Sequence, residues 1–201
     1  MIKAVIFDYG GVMKKSSQFF KDVVKIFNVS REEIKLVEDK ISEAGRMAVK
    51  GLIKDSQYFE EIAKILGRPL PNGYMELAKK HYRDDLVVFT EIIDLVKKLK
   101  TQGIKTAVLS NIGKYSSDLA REENLYDGFD EVVLSYEVGM RKPEPEIYIL
   151  TAKRLNLKPE ECLFVDDAEE NLAPAKELGM KTILFKNPKQ AVEEVLEIVK
   201  K

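Results

Sequence analysis

Five short apolar runs punctuate the chain. They are residues 3–7 (Lys-Ala-Val-Ile-Phe), Lys105 to Leu109, Glu131 to Leu134, Cys162 to Val165 and Thr182 to Phe185. Each is continuous rather than alternating and too brief for a helix, the pattern of a strand buried on both faces. The first is closed by Asp8 and the turn-forming pair Gly10-Gly11. Between the runs the apolar spacing changes to that of helices. Thr90 to Lys100 repeats Ile92, Ile93, Val96 and Leu99. Tyr115 to Asn124, Glu144 to Leu155 with Pro145 in its first turn, Glu170 to Leu178 closed by Gly179, and Lys189 to Lys200 complete the set. Strands and helices alternating through short loops predict an α/β fold, a parallel sheet with helices on both faces.

Residues 14–88 break this rhythm. They carry amphipathic stretches at Phe19 to Phe27, Glu32 to Ile41, Gln57 to Leu66 and Tyr74 to Tyr82, and no strand pattern. Ser30 with Glu33 forms a capping box that starts one of these helices, and the loop from Gly67 to Gly73 separates two others. The organisation expected is a core of residues 1–13 and 89–201 with a helical lobe, residues 14–88, inserted after the first strand.

Composition narrows the class. Among 201 residues, 45% are hydrophobic and 33% charged, enough for a core beneath a solvated surface. The 33 basic and 34 acidic side chains give a net charge of −1, with no bulk pull toward nucleic acid or anionic lipid. No apolar stretch is long enough to span a membrane. The single cysteine, Cys162, has no internal disulfide partner, which suits a cytoplasmic setting.

Polar residues collect where the strands end, and ligands of open α/β sheets bind at that edge. Asp8 follows the first strand, Ser110-Asn111 the second, Lys142-Pro143 the third and Asp166-Asp167 the fourth. Each alone is ordinary: Asp often caps a helix, Ser-Asn forms turns and Lys is usually solvated. Two adjacent carboxylates repel unless a cation or proton intervenes. Four such signals in register point to one site.

These segments, Val-Ile-Phe-Asp8-Tyr-Gly-Gly-Val, Val-Leu-Ser110-Asn111, Gly-Met-Arg-Lys142-Pro-Glu-Pro-Glu-Ile-Tyr148 and Phe-Val-Asp166-Asp167-Ala-Glu-Glu-Asn171, resemble the haloacid dehalogenase superfamily. The similarity is to the branch with a helical cap after the first strand, and the cap segment matches only in length and helical character. The resemblance implies a Rossmann-like core and a Mg²⁺-dependent phosphatase acting on a small phosphorylated metabolite. Asp8 would be the nucleophile that forms an aspartyl-phosphate, Ser110 and Asn111 would contact the phosphoryl group, and Lys142 would tie Asp8 to phosphate. Asp8, the Gly10 carbonyl and Asp167 would hold Mg²⁺, with Asp166 as a further ligand or a supporting partner.

One position departs from the family pattern. Phosphatases of this family carry a second Asp two residues after the nucleophile, which protonates the leaving group; this chain has Gly10. General acid help is worth about 10²–10⁴-fold. A good leaving group such as an acyl or anomeric phosphate, a donor from the cap or water, or a slow hydrolase with a binding role would each accommodate the loss. A metal-independent 2-haloacid dehalogenase is the other alternative, since dehalogenases also lack that Asp. The acidic pair Asp166-Asp167 argues against it, because family dehalogenases resemble Ser-Ser-Asn there.

Other residues take ordinary readings. His81, the only histidine, is expected at the surface of the lobe and excludes a His-rich zinc site. Cys162 is expected to be a buried, inert thiol, and Phe19, Phe20, Phe27, Tyr58, Phe59 and Tyr74 to form the lobe's core. Asn111-Ile-Gly113-Lys114-Tyr115 lacks the residues of a nucleotide-triphosphate loop.

Overall fold

The computed structural model describes residues 1–16 and 21–200. The five apolar runs become the strands β1 (Ala4–Phe7), β2 (Lys105–Ser110), β3 (Glu131–Leu134), β4 (Cys162–Asp166) and β5 (Lys181–Leu184). All pairs are parallel, in the order β3-β2-β1-β4-β5. The first three strands step one way from β1, and β4 then returns to its other side. The crevice where the order reverses lies between β1 and β4, the usual ligand position in such sheets.

Side chains leave alternate faces of a strand. Val5, Phe7, Val108, Leu163, Val165 and Ile183 therefore point to one side, against α6 (Thr90–Thr101) and α11 (Pro188–Val199). Ala4, Ile6, Ala107, Leu109, Cys162 and Phe164 point to the other, against α9 (Pro145–Arg154) and α10 (Glu169–Glu177). Both faces are covered, which explains why the strands read as continuous apolar runs. The α7 helix (Lys114–Glu122) connects β2 to β3, and a short α8 (Ser135–Val138) ends at Gly139, whose φ of +70° suits glycine. Gly179 follows α10 at φ +88°, the expected cap.

The inserted lobe holds α1 (Lys21–Phe27), α2 (Arg31–Lys35), α3 (Glu38–Val49), α4 (Asp55–Leu66) and α5 (Tyr74–Asp84). They bury a separate cluster that includes Val23, Phe27, Ile34, Ile41, Phe59 and Ile62. Tyr58 and Tyr74 pack against it, while Phe19 and Phe20 lie outside the described residues. The Ser30 capping box forms: Glu33 N–H donates to Ser30 Oγ (3.1 Å) and Ser30 N–H to Glu33 Oε2 (2.8 Å).

The single helix expected over Glu32–Ile41 is two. Val37 N–H turns to the Ile34 carbonyl (3.0 Å), the chain tightens, and a new helix starts at Glu38. Two linkers join lobe to core and pair with one another: Lys15 N–H reaches the Val87 carbonyl (2.8 Å) and Phe89 N–H the Met13 carbonyl (2.9 Å). No helix among the described residues is long and apolar enough to cross a membrane.

Candidate active site

Strand register sets the first two carboxylates side by side. Phe7 pairs with Val165, so Asp8 and Asp166 are the next residues on adjacent strands, and Asp8 N–H donates to the Val165 carbonyl at 2.9 Å. Both are buried, at 7% and 0% exposure, and between them stands the ammonium of Lys142, itself only 1% exposed. Lys142 Nζ is 2.8 Å from Asp8 Oδ1 and 2.6 Å from Asp166 Oδ2. The other Asp166 oxygen accepts from Ala168 N–H (2.8 Å) and Asn171 Nδ2 (3.0 Å). Tyr9 N–H adds a bond to Asp8 Oδ1 at 2.7 Å. Both oxygens of Asp166 and Oδ1 of Asp8 are thus partnered, as a buried ion cluster requires.

Lys142 arrives from the loop after α8, held by Asn111. The Asn111 carboxamide accepts from Lys142 N–H (2.8 Å) and donates to the Lys142 carbonyl (2.8 Å). Its side chain, expected on substrate, is committed at both ends to positioning Lys142. Ser110, at the end of β2 and 3% exposed, lines the same cavity as Asp8 and Lys142.

Oxygens of Asp8, Asp166 and Asp167 all lie within 4.8 Å of one another. Three hard oxygen donors at that spacing suit Mg²⁺, which takes carboxylates and water at about 2.0–2.1 Å. Asp8 and Asp167 are the better-placed ligands, since both Asp166 oxygens already have partners. Electrostatics agree with a cation there. Burial, against the pull of Lys142 and with the push of Asp166 and Asp167, carries Asp8 up to about 7. Burial and the neighbouring Asp166 also raise Asp167 above the usual carboxylate range. Gly11 makes room for this group: at φ +93°, a Cβ there would lie on the Asp167 carboxylate. Gly10 is different, because a Cβ there meets nothing within 4 Å.

Above the sheet edge lies a cavity of about 310 Å³ bounded by both core and lobe. Its lobe side includes Lys14, Asp22, His81, Tyr82 and Asp85. His81, expected at the lobe's surface, is half-buried: it lines the cavity, and its buried Nδ1 has no partner among the described residues. The Tyr9 and Tyr82 hydroxyls lie 2.5 Å apart across the seam, joining core to lobe. None of these lobe residues carries a motif. Cys162 is buried as expected, and burial pushes its thiol up to about 12.

Comparison with known proteins completes the picture. Residues 2–179 match the family model of haloacid dehalogenase-like hydrolases. The D-ribitol-5-phosphate phosphatase of Bacteroides thetaiotaomicron is 30% identical over 200 residues, covering 93% of each chain. Mouse acyl-CoA dehydrogenase family member 10 is 30% identical over 202 residues, which are 96% of this chain. The chain spans only 19% of the length of that protein and of the rodent epoxide hydrolases it also matches. A HAD-family enzyme of Bacteroides thetaiotaomicron, in a crystal structure with magnesium and inorganic phosphate, aligns with a TM-score of 0.74. It is 26% identical, and the match covers 92% of this chain and 95% of that one.

Proposed function

The chain belongs to the haloacid dehalogenase-like hydrolases, and from that premise we propose that it is a Mg²⁺-dependent phosphatase of small phosphorylated metabolites. One observation carries the reading: carboxylate oxygens of Asp8, Asp166 and Asp167 converge within 4.8 Å beside the buried Lys142 ammonium. Asp8 attacks phosphorus, the bond to the leaving oxygen breaks, and an aspartyl-phosphate forms. Water then attacks that phosphorus and frees Asp8. Lys142 holds Asp8 in place and offsets charge as the phosphoryl group transfers, while Ser110 donates to a phosphoryl oxygen. Bound Mg²⁺ would supply Lewis-acid polarisation of those oxygens, held by Asp8, Asp167 and the Gly10 carbonyl. Asp166 orients Lys142, and Asn111 fixes the main chain that carries it. The lobe of residues 14–88 acts as a cap that closes over the cavity and selects substrate.

With glycine at position 10 the chain offers no acid there, so the reading favours esters whose leaving oxygen needs little protonation. Relatives named as phosphatases of phosphoglycolate, glyceraldehyde 3-phosphate and D-ribitol 5-phosphate support the small-metabolite class. Gly10 also favours a second reading, a slow hydrolase that serves by binding phosphate and metal. The dehalogenase alternative fits poorly, because three carboxylates within 4.8 Å have no counter-ion beyond Lys142 unless a metal binds. Phosphate release from a panel of small phosphoesters, with and without EDTA, tests the proposal. Turnover is expected to need Mg²⁺ and to vanish in Asp8→Asn; equal turnover by that variant would overturn it. Tight binding of Mg²⁺ and phosphate without turnover would select the second reading.

A further inference from the structure

Lys14 is 8% exposed and lines the cavity, yet no carboxylate among the described residues lies within 4.0 Å of its ammonium. Its one hydrogen bond among the described residues is a long 3.4 Å contact to the neighbouring Lys15 carbonyl. The Tyr9 and Tyr82 rings lie 5.4 and 5.7 Å from it. An ammonium has three donors, and burying one with donors unfilled is costly unless something in the cavity fills them. Nearby stand Asp22 and the nucleophile Asp8, whose charges both act on Lys14, and His81, whose Nδ1 is buried without a partner among the described residues. Asp85 is already engaged by Lys21 (2.8 Å) and Lys25 (2.9 Å).

This wall mixes a donor, an acceptor and an imidazole that can be either. A carboxylate or second phosphate on the substrate would meet Lys14 but be repelled by Asp22. An apolar group would leave Lys14 unfilled. A hydroxyl satisfies both, because it accepts from the ammonium while donating to the carboxylate. Gly10 adds an independent condition. With no acid two residues after Asp8, the leaving oxygen must depart easily, and an anomeric oxygen does so better than a primary alcohol because the ring oxygen withdraws charge from it.

We propose that Lys14, Asp22 and His81 form a hydroxyl-recognising subsite and that the substrate class is a sugar phosphate esterified at its anomeric oxygen. This deepens the phosphatase reading and rests on it. Asp8 forms the bond to phosphorus, the bond from phosphorus to the anomeric oxygen breaks with its electron pair going to that oxygen, and solvent supplies the proton.

Three probes separate the terms. Glucose 1-phosphate has hydroxyls and an easy leaving group, glucose 6-phosphate has hydroxyls and a poor one, and acetyl phosphate has an easy one without the hydroxyls. For the wild-type protein, kcat/KM for glucose 1-phosphate should exceed that for glucose 6-phosphate by about 100-fold, the lower end of what a general acid provides. In Lys14→Met, the ratio of kcat/KM for glucose 1-phosphate to that for acetyl phosphate should fall about 10- to 100-fold, chiefly through KM, as expected for a lost hydrogen bond from a charged donor. Equal loss on both substrates, an unchanged ratio, or preference for glucose 6-phosphate would each overturn the proposal. If the wild type hydrolyses none of the three, the phosphatase reading fails. The subsite is then read by titrating glucose 1-phosphate into the wild-type protein with Mg²⁺: binding that weakens in Lys14→Met sustains it, and absent or unchanged binding overturns it.

Discussion

Two lysines, each less than one-tenth exposed, face the same cavity in opposite circumstances. Lys142, at the sheet edge, has a carboxylate on either side at 2.8 and 2.6 Å, with its main chain clamped by Asn111. Lys14, on the linker to the lobe, has two aromatic rings and one long contact to a carbonyl. The first is satisfied by the protein and therefore forms part of its framework. The second meets no carboxylate within 4.0 Å among the described residues and is held ready for something else. The core fixes the reacting groups before substrate arrives, whereas the lobe leaves polar capacity open for substrate to fill.

Replacing each lysine by methionine tests that contrast. Lys142→Met strands two buried carboxylates, and urea unfolding should show a loss of about 3–5 kcal/mol. Lys14→Met replaces a poorly partnered buried charge with an apolar chain of similar length, and stability should change by less than about 1 kcal/mol or rise. Similar losses in both would erase the distinction.

Gly10→Asp comes next in size. A Cβ at this position meets nothing within 4 Å, so restoring an acid should raise turnover of primary-alcohol phosphates by up to about 100-fold and change acyl phosphates much less. No gain in a leaving-group series would show that the missing acid is supplied elsewhere. Gly11→Ala should act on the metal instead. The added Cβ displaces Asp167, and Mg²⁺ affinity measured by calorimetry should fall about 10-fold or more. Undiminished affinity would remove Asp167 from the ligand set.

The smallest effect concerns pH. Asp8 is raised from its ordinary 3.8 to about 7, so the metal-free folded protein holds a proton in that window that the unfolded chain releases. The stabilisation from that proton is complete below about pH 3.8 and is lost as pH rises through 7. Mg²⁺ replaces the proton, and the rise in melting temperature on adding Mg²⁺ should grow between pH 5 and 8. A Mg²⁺ effect independent of pH would place the cation away from Asp8.

The sheet and its acidic edge were legible because the relevant information is local. An apolar run ending in Asp or Ser places that side chain at the strand's carboxyl end whatever the rest of the chain does. What escaped depends on distant partners. Ile34 and Ile41 are seven residues apart, a spacing that suits one continuous helix as well as the two that form. Asn111 read as a substrate contact because its partner, Lys142, lies 31 residues away. Lys14 was one basic residue among 33, and His81 passed for a surface group. Their place in the cavity follows from how the linkers pair and how α5 meets the sheet edge, which no local pattern encodes.

The most direct measurement is Mg²⁺ titration calorimetry on the wild type, Asp8→Asn and Asp167→Asn, run beside phosphate release on the same preparations. A shared cation predicts that each substitution weakens Mg²⁺ binding at least 10-fold and that Asp167→Asn loses turnover in step with its lost affinity. Wild-type Mg²⁺ affinity in both variants would contradict the account.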